Sequence, residues 1–396
     1  MAGERQDNSS SNTDSVSKDK LENNNNSTNK NGNGAKNGNG ADSPLSLLDG
    51  ASSQYPTIAP ELELQKIVAA DKTRLLEERL EAFEDIIDSE IGDTNLTRAR
   101  NIEREFGLRQ IYLKFEGSTP TGTQKDRIAF AQVMDALRRG FDTVTVATCG
   151  NYGAAIALAS SLAGLDCEIY IPEKYHTGRI KEITEYGAKV TMVPGDYENA
   201  VTVSQQMSDE KEYYDANAGG ANTPLQFRAY GEIAYEIYDE LRDAPAVVAL
   251  PVSNGTTLAG IYKGFVSLYR RGKTSKIPKI IAGSSFGKNP IIQAFLKNMT
   301  NCEDLQPDKI HETAVNEPLI NWRSIDGNYA LESIRKSGGW ASYVSDKSML
   351  TYSKIILDKE GLSVLPASTA GLIALLEKKE TLQNDRYVVI LTGRKT

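Results

Sequence analysis

From residue 111 to residue 391 the chain alternates short apolar runs with stretches of helical periodicity, and this limits its fold more than any other feature. The runs Ile111–Phe115, Thr143–Ala147, Cys167–Ile171, Lys189–Val193, Val247–Pro251, Lys279–Gly283 and Tyr387–Leu391 read as strands. Nearly unbroken apolar runs of this length suit strands buried on both faces. Helical spacing is expected over Arg127–Arg139, Ala154–Ala163, Arg179–Tyr186, Leu225–Arg242, Leu258–Tyr269 and Ser368–Lys378. Strand-helix alternation of this kind gives an α/β fold with parallel sheets covered on both faces. In such sheets the ligand crevice lies at the carboxyl ends of the strands. The residues that follow each strand are therefore the informative ones.

The N-terminal part behaves differently. Residues 1–53 contain no Phe, Trp or Tyr and are rich in Asn, Ser, Gly and Lys. Such a segment buries too little apolar surface to offset its ordering entropy, and a disordered tail is expected. The folded body is expected to start near Tyr55, with an amphipathic helix in Leu75–Ile91 that carries Leu76, Leu80, Phe83 and Ile87 on one stripe.

Composition removes several classes of function. The formal net charge of −8 and the lack of a concentrated basic patch argue against nucleic-acid binding. No apolar run is long enough to cross a bilayer and no signal-peptide pattern is present, so a cytoplasmic protein is expected. The three cysteines, Cys149, Cys167 and Cys302, are too scattered for a disulfide framework or a Cys-rich metal site. With only His176 and His311, a multi-histidine metal centre and a His-based triad are both poor expectations, and no metal is assigned.

Four strand-end loops carry chemistry together that none carries alone. The first runs from Gly117 to Arg127 and places Lys125 where a helix begins, as an amine nucleophile towards an aldehyde. The second, Thr148 to Ala155, offers small hydroxyls, backbone N–H groups and the Asn151 amide. The third, Ser253-Asn254-Gly255-Thr256-Thr257, opens a helix and has the composition of a phosphate cradle. The fourth is Thr392-Gly393, where a hydroxyl rather than a carboxylate ends the last strand. Taken singly, each is as readily a capping turn. A lysine, an amide, a phosphate cradle and a terminal hydroxyl, each after a strand, are what pyridoxal phosphate needs. Lys125 would form the imine, Asn151 contact the ring hydroxyl, Ser253 to Thr257 hold the phosphate, and Thr392 meet the ring nitrogen.

At these loops the sequence resembles the fold type II (tryptophan synthase β-like) pyridoxal-phosphate enzymes, most closely the threonine-synthase group. Thr119-Pro-Thr-Gly-Thr-Gln-Lys-Asp-Arg127 stands where that family reads Asn-Pro-Thr-Gly-Ser-Phe-Lys-Asp-Arg. Thr148-Cys-Gly-Asn-Tyr152 resembles its Ser-Thr-Gly-Asn-Thr, and Pro251-Val-Ser-Asn-Gly-Thr-Thr257 its Pro-Val-Gly-Asn-Ala-Gly-Asn. Lys336-Ser-Gly-Gly339, Leu365-Pro-Ala-Ser-Thr-Ala370 and Val389-Ile-Leu-Thr-Gly393 are similar to later family segments. The departures are Gln124 for Phe, Ser253 and Thr256 for glycines, Thr257 for Asn, Leu365 for Glu and Arg394 for His.

The resemblance implies two domains, each an open mostly parallel twisted sheet flanked by helices, with the cofactor in the cleft between them. A helical segment over 54–100 would pack on the C-terminal domain. A smaller domain over 101–215 would carry Lys125, and a larger one over 216–396 the phosphate loop. It also implies a homodimer and an amino-acid substrate. Ser118, Thr119, Thr148, Cys149, Gly150 and Tyr152 would bind that substrate. The implied reaction converts O-phosphohomoserine and water to threonine and phosphate. Lys114, Ser118, Thr119 and Arg127 are candidates by position for holding the leaving phosphate. Serine or threonine dehydration, β-replacement of a cysteine-synthase kind, and ligand binding without catalysis on the same scaffold remain the alternatives.

Overall fold

A computed structural model describes residues 58–148, 150–173 and 178–395. The expected tail, Cys149 and His176 lie outside the described residues. Ten strands are described: β1 (Leu96–Arg98), β2 (Ile111–Phe115), β3 (Thr143–Ala147), β4 (Asp166–Pro172), β5 (Lys189–Val193), β6 (Tyr214–Asp215), β7 (Val247–Pro251), β8 (Lys279–Ser285), β9 (Trp340–Val344) and β10 (Tyr387–Leu391). They form a six-stranded sheet of order β1-β2-β10-β7-β8-β9 and a four-stranded sheet of order β5-β4-β3-β6. Every pairing is parallel except β1 with β2. Helices flank both sheets, so the α/β expectation holds. The central strands β7 and β10 are buried along their whole length, which is why their sequences run apolar without alternation.

Chain order and sheet membership diverge at β2. It precedes the strands of the smaller sheet in sequence yet pairs with β10 in the larger one, Ile111 opposite Tyr387 and Phe115 opposite Leu391. The segment before it contributes β1 to the same sheet, with Leu96 opposite Lys114. The helix expected over Ser368–Lys378 begins as a 3-10 turn, Pro366–Thr369, and becomes α-helical at Ala370–Glu377. Among the described residues, no helix is long and apolar enough to cross a membrane.

Two helices behind the larger sheet approach unusually closely. Thr223–Leu241 and Thr256–Arg270 meet through Gly231, Gly260 and Gly264. A Cβ on Gly264 would lie 2.6 Å from the Gly231 carbonyl oxygen and 2.8 Å from Ala234 Cβ. This contact aims the start of the second helix, where the third strand-end loop lies. Gly264→Ala should therefore destabilise the fold by about 2 kcal/mol, because backbone cannot move aside as a flexible side chain can. Urea unfolding of the two proteins measures this, and an unchanged midpoint would show that the helices separate at no cost.

Candidate active site

The loop after β2 delivers Lys125 as the first residue of helix Lys125–Arg138. The segment beyond β10 holds that loop. Gln124 N donates to Thr392 O at 3.0 Å, and Arg394 N donates to Gly122 O at 2.9 Å. The Arg394 guanidinium donates to the carbonyls of Gly117, Thr119 and Pro120 at 3.0, 3.3 and 2.9 Å. Gly122 has a φ of +84°, and a side chain there would meet that of Arg394 at 2.6 Å. Both facts require glycine at this turn.

Lys125 lines two neighbouring cavities. The inner one, about 110 Å³, is bordered by Lys125, Gln124, Asn151, Thr392 and the loop from Ser253 to Thr257. The outer one, about 720 Å³, is bordered by Lys125, Thr148, Gly150, Asn151 and Tyr152. Residues 195–198 and part of the segment 307–322 close its other side. Ser253, Asn254 and Thr256 border both cavities.

The inner cavity meets a helix start. Gly255, with a φ of +95°, precedes helix Thr256–Arg270. Ala259 N is the first to close a backbone bond, to Gly255 O at 3.0 Å. The N–H groups of Thr256, Thr257 and Leu258 thus lack intrahelical acceptors and can hold an anion. A Cβ on Gly255 would lie 2.9 Å from both Asp326 O and Ala330 Cβ. The Thr256 hydroxyl is directed elsewhere. It donates to Asp326 Oδ2 at 2.6 Å, while Thr223 donates to Asp326 Oδ1 at 3.1 Å. Burial raises the Asp326 carboxyl above its usual range, and the two hydroxyls oppose this. Of the expected cradle residues, Thr256 is thus left with its backbone N–H as donor. Asn254 Oδ1 accepts from Asn321 Nδ2 at 2.8 Å, and Ser253 O accepts from Asn289 Nδ2 at 3.0 Å.

Asn151 opens helix Asn151–Leu162, three residues earlier than its periodicity suggests. Its Oδ1 accepts from Arg179 Nη1 at 2.8 Å. Arg179 also donates to Thr121 O at 2.8 Å and pairs with Glu182 at 2.6 Å. It therefore joins the lysine loop to the Asn151 loop, a link that no sequence motif announced. The Tyr152 hydroxyl donates to Ala216 O at 2.8 Å, and Lys125 Nζ sits 5.9 Å from the centre of its ring.

These groups fit a pyridoxal phosphate. A helix start with free N–H groups suits its phosphate, and an amine beside it suits its aldehyde. The Gln124 Oε1 atom is buried with no partner among the described residues. An orphaned buried acceptor of this kind calls for a donor from a bound molecule or water.

A family model described as pyridoxal-phosphate dependent enzyme matches residues 87–393. The chain belongs to the pyridoxal-phosphate dependent enzyme family. Pyridoxal phosphate is its cofactor. The threonine synthase of Methanocaldococcus jannaschii is 34% identical over 307 residues, 76% of this chain and 74% of the relative. That of Bacillus sp. (strain ULM1) is 29% identical over 306 residues, 76% of this chain and 82% of the relative. Among solved structures, maize serine racemase matches with a TM-score of 0.67 at 17% identity, over 80% of this chain and 92% of that one. A threonine deaminase from T.th. matches with a TM-score of 0.66 at 19% identity, over 80% of this chain and 97% of that one. These two structures establish the fold, that of the fold type II enzymes.

Not every expected site residue reaches the cavities of this pyridoxal-phosphate enzyme. Thr148, Gly150 and Tyr152 line the outer cavity, whereas Ser118 and Thr119 border neither. Ser118 is exposed and its hydroxyl donates to Phe115 O at 3.2 Å. Thr119 is buried and donates to Glu116 O and Thr123 O at 3.1 and 2.9 Å. Both hydroxyls shape the loop. Lys114 and Arg127 also stand apart, locked in a buried ion network with Glu116 and Glu236. The sequence offered no signal for Asp196, Glu198, Glu317 or Trp322 as cavity residues.

Proposed function

We propose that the protein is a threonine-synthase-like lyase that converts O-phosphohomoserine and water to threonine and phosphate. The observation that carries this reading is the position of Lys125, which borders the inner cavity at the helix start and the outer cavity at once. Threonine synthases of 29% and 34% identity support it. The cofactor, when bound, supplies an electron sink for negative charge on the substrate carbons. The chain supplies the rest. The N–H groups of residues 256–258 hold the cofactor phosphate. Asn151, whose Oδ1 is taken by Arg179, would offer its amide N–H to the ring hydroxyl. The Thr392 hydroxyl, at the border of the inner cavity, would meet the ring nitrogen without the charge by which a carboxylate would keep that nitrogen protonated. The backbone between Thr148 and Tyr152, at a helix start, binds the substrate carboxylate. The Lys125 amine takes the proton from the α carbon and returns it further along the substrate. A homodimer in the cytoplasm is part of the same reading, on the strength of the resemblance.

One observation favours a second reading. Among the described residues that line the outer cavity, Lys125 is the sole Lys or Arg. A substrate whose leaving group is uncharged, as in serine or threonine dehydration, would need no other cation. The test is to give the holoenzyme O-phosphohomoserine, serine, threonine or O-acetylserine in parallel and assay phosphate, threonine and 2-oxo acid. Threonine and phosphate in equal amounts are expected from the first. A 2-oxo acid from serine or threonine, with no phosphate released, would replace this reading by the second. No turnover of any of them would favour a binding protein on an enzyme scaffold.

A further inference from the structure

We propose that Glu317 is a specificity-determining residue of the outer cavity, whose carboxyl governs how strongly that cavity accepts an anionic group of the substrate. The proposal rests on the reading above in so far as that group is the substrate's phosphate. Glu317 opens the 3-10 turn Glu317–Leu319 and lines the outer cavity, and its neighbour Pro318 borders both cavities. The turn is firmly held. Glu317 N donates to Thr313 O at 3.0 Å. Asn316 Nδ2 donates to both oxygens of Asp346 at 3.1 Å, and Thr313 Oγ1 donates to Asp346 Oδ2 at 2.6 Å. The side chain therefore cannot easily withdraw with its backbone.

Several other carboxylates of low exposure in this fold have charged or hydroxyl partners. Glu116 and Glu236 share Arg127, Glu182 pairs with Arg179, and Asp326 accepts from two threonines. Glu317 is half-buried, and no described residue gives its carboxyl a hydrogen bond or an ion pair. The charged groups that act on it are Glu312, from its own segment, and Lys125, from helix Lys125–Arg138. The other titratable groups around the cavity are Asp196, Glu198, His311, Tyr152, Tyr197 and Tyr230. Burial pushes the Glu317 carboxyl up to about 7, Glu312 acts in the same sense, and Lys125 opposes them. Below that value the protonated carboxyl donates a hydrogen bond to an anion. Above it, the carboxylate repels the anion and weakens the attraction of Lys125.

Sulfate tests this directly, because it is a tetrahedral dianion whose charge is constant near neutrality. The holoenzyme is used so that the cofactor's own phosphate occupies the helix start. Calorimetric titration with sulfate at about pH 6 and about pH 8 should show wild-type affinity falling on the order of tenfold, the effect of one nearby charge. Glu317→Gln should bind at both values as tightly as the wild type at the lower one. Glu317→Ala should likewise lose the pH dependence, which keeps the test decisive if the amide variant fails to load cofactor. A variant that keeps the wild-type fall would overturn the proposal and point to Glu198, the other cavity carboxyl that burial raises. So would a wild-type cavity that takes up no sulfate at the lower pH. If O-phosphohomoserine is not consumed but sulfate behaves as expected, the role of Glu317 stands and the substrate assignment alone fails.

Discussion

Lys125→Ala should lower turnover by at least about 10³-fold, in the upper part of the range for loss of a proton-transferring group. It should also abolish the absorbance band of the lysine-bound cofactor. The fold should survive. Lys125 is the first residue of its helix and makes no hydrogen bond with its ammonium group to any described residue. Alanine is the better helix former, and removing a cation from a helix N-terminus is favourable by a few tenths of a kcal/mol, roughly. The apo variant should thus melt no lower than the apo wild type. The cofactor should still bind through the helix start at residues 256–258, less tightly and without the covalent band. A variant that retained a tenth of wild-type turnover would move the proton chemistry to another group. A variant that lost its thermal transition would show that Lys125 is structural, and the activity result would then decide nothing.

The second large effect concerns stability. Arg127 is bound on both sides, with Nε 2.6 Å from Glu116 Oε2 and Nη1 2.6 Å from Glu236 Oε1. Lys114 Nζ lies 2.5 Å from Glu236 Oε2. The side chains of Lys114, Glu116, Arg127 and Glu236 are 1%, 0%, 3% and 13% exposed. Thr94 closes the cluster by donating to Glu116 Oε1 at 2.7 Å. The network ties β2, the lysine helix and helix Thr223–Leu241 together, so it holds the base of the site rather than its surface. Glu236→Gln would leave Arg127 with Glu116 alone and the buried Lys114 without a carboxylate, at a cost of roughly 3–5 kcal/mol. Desolvation works to raise the Glu236 carboxyl, but Arg127 and Lys114 prevail and hold it at about 2, against an ordinary 4.5. Its folded value is depressed, so its contribution is complete above the ordinary value. That contribution is lost as pH falls from about 4.5 towards about 2. Urea midpoints of wild type and variant at about pH 7 should differ widely, and the gap should narrow towards about pH 3. A gap of equal size at both values would refute the electrostatic origin.

Seven of the ten described strands were legible because buried parallel strands write themselves as apolar runs; β9 is buried and parallel too, but Ser342 breaks its run. β2, β3, β5, β7 and β10 lie where those runs lie. β1 escaped notice because Leu96–Arg98 is a half-exposed edge of three residues. Helix Tyr197–Lys211 escaped for a different reason. The residues it buries are Ala200, Ser204 and Ser208, a stripe too small and too polar to give an apolar period. For the site, loop chemistry pointed to residues at strand ends that the fold brings together. Lys125, Asn151, Gly255 and Thr392 all meet at the inner cavity. It misled at Ser118 and Thr119, because the course of that loop is set by Arg394, some 270 residues away. It was silent on Glu317 and Trp322. They come from a segment without regular period and reach the cavity by tertiary packing alone.

The sheet order has a bearing on how the molecule is made. Of the ten described strands, β10 is translated last, yet it lies between β2 and β7 near the middle of the larger sheet. Until Tyr387–Leu391 leaves the ribosome, β2 and β7 each present an open hydrogen-bonding edge, the kind of surface at which nascent chains stick to one another. The same late residues carry Thr392 and Arg394, which brace the lysine loop. The pocket is therefore a product of long-range pairing: Lys125, which follows β2, and Thr392, which follows β10, come to one cavity because those two strands lie side by side.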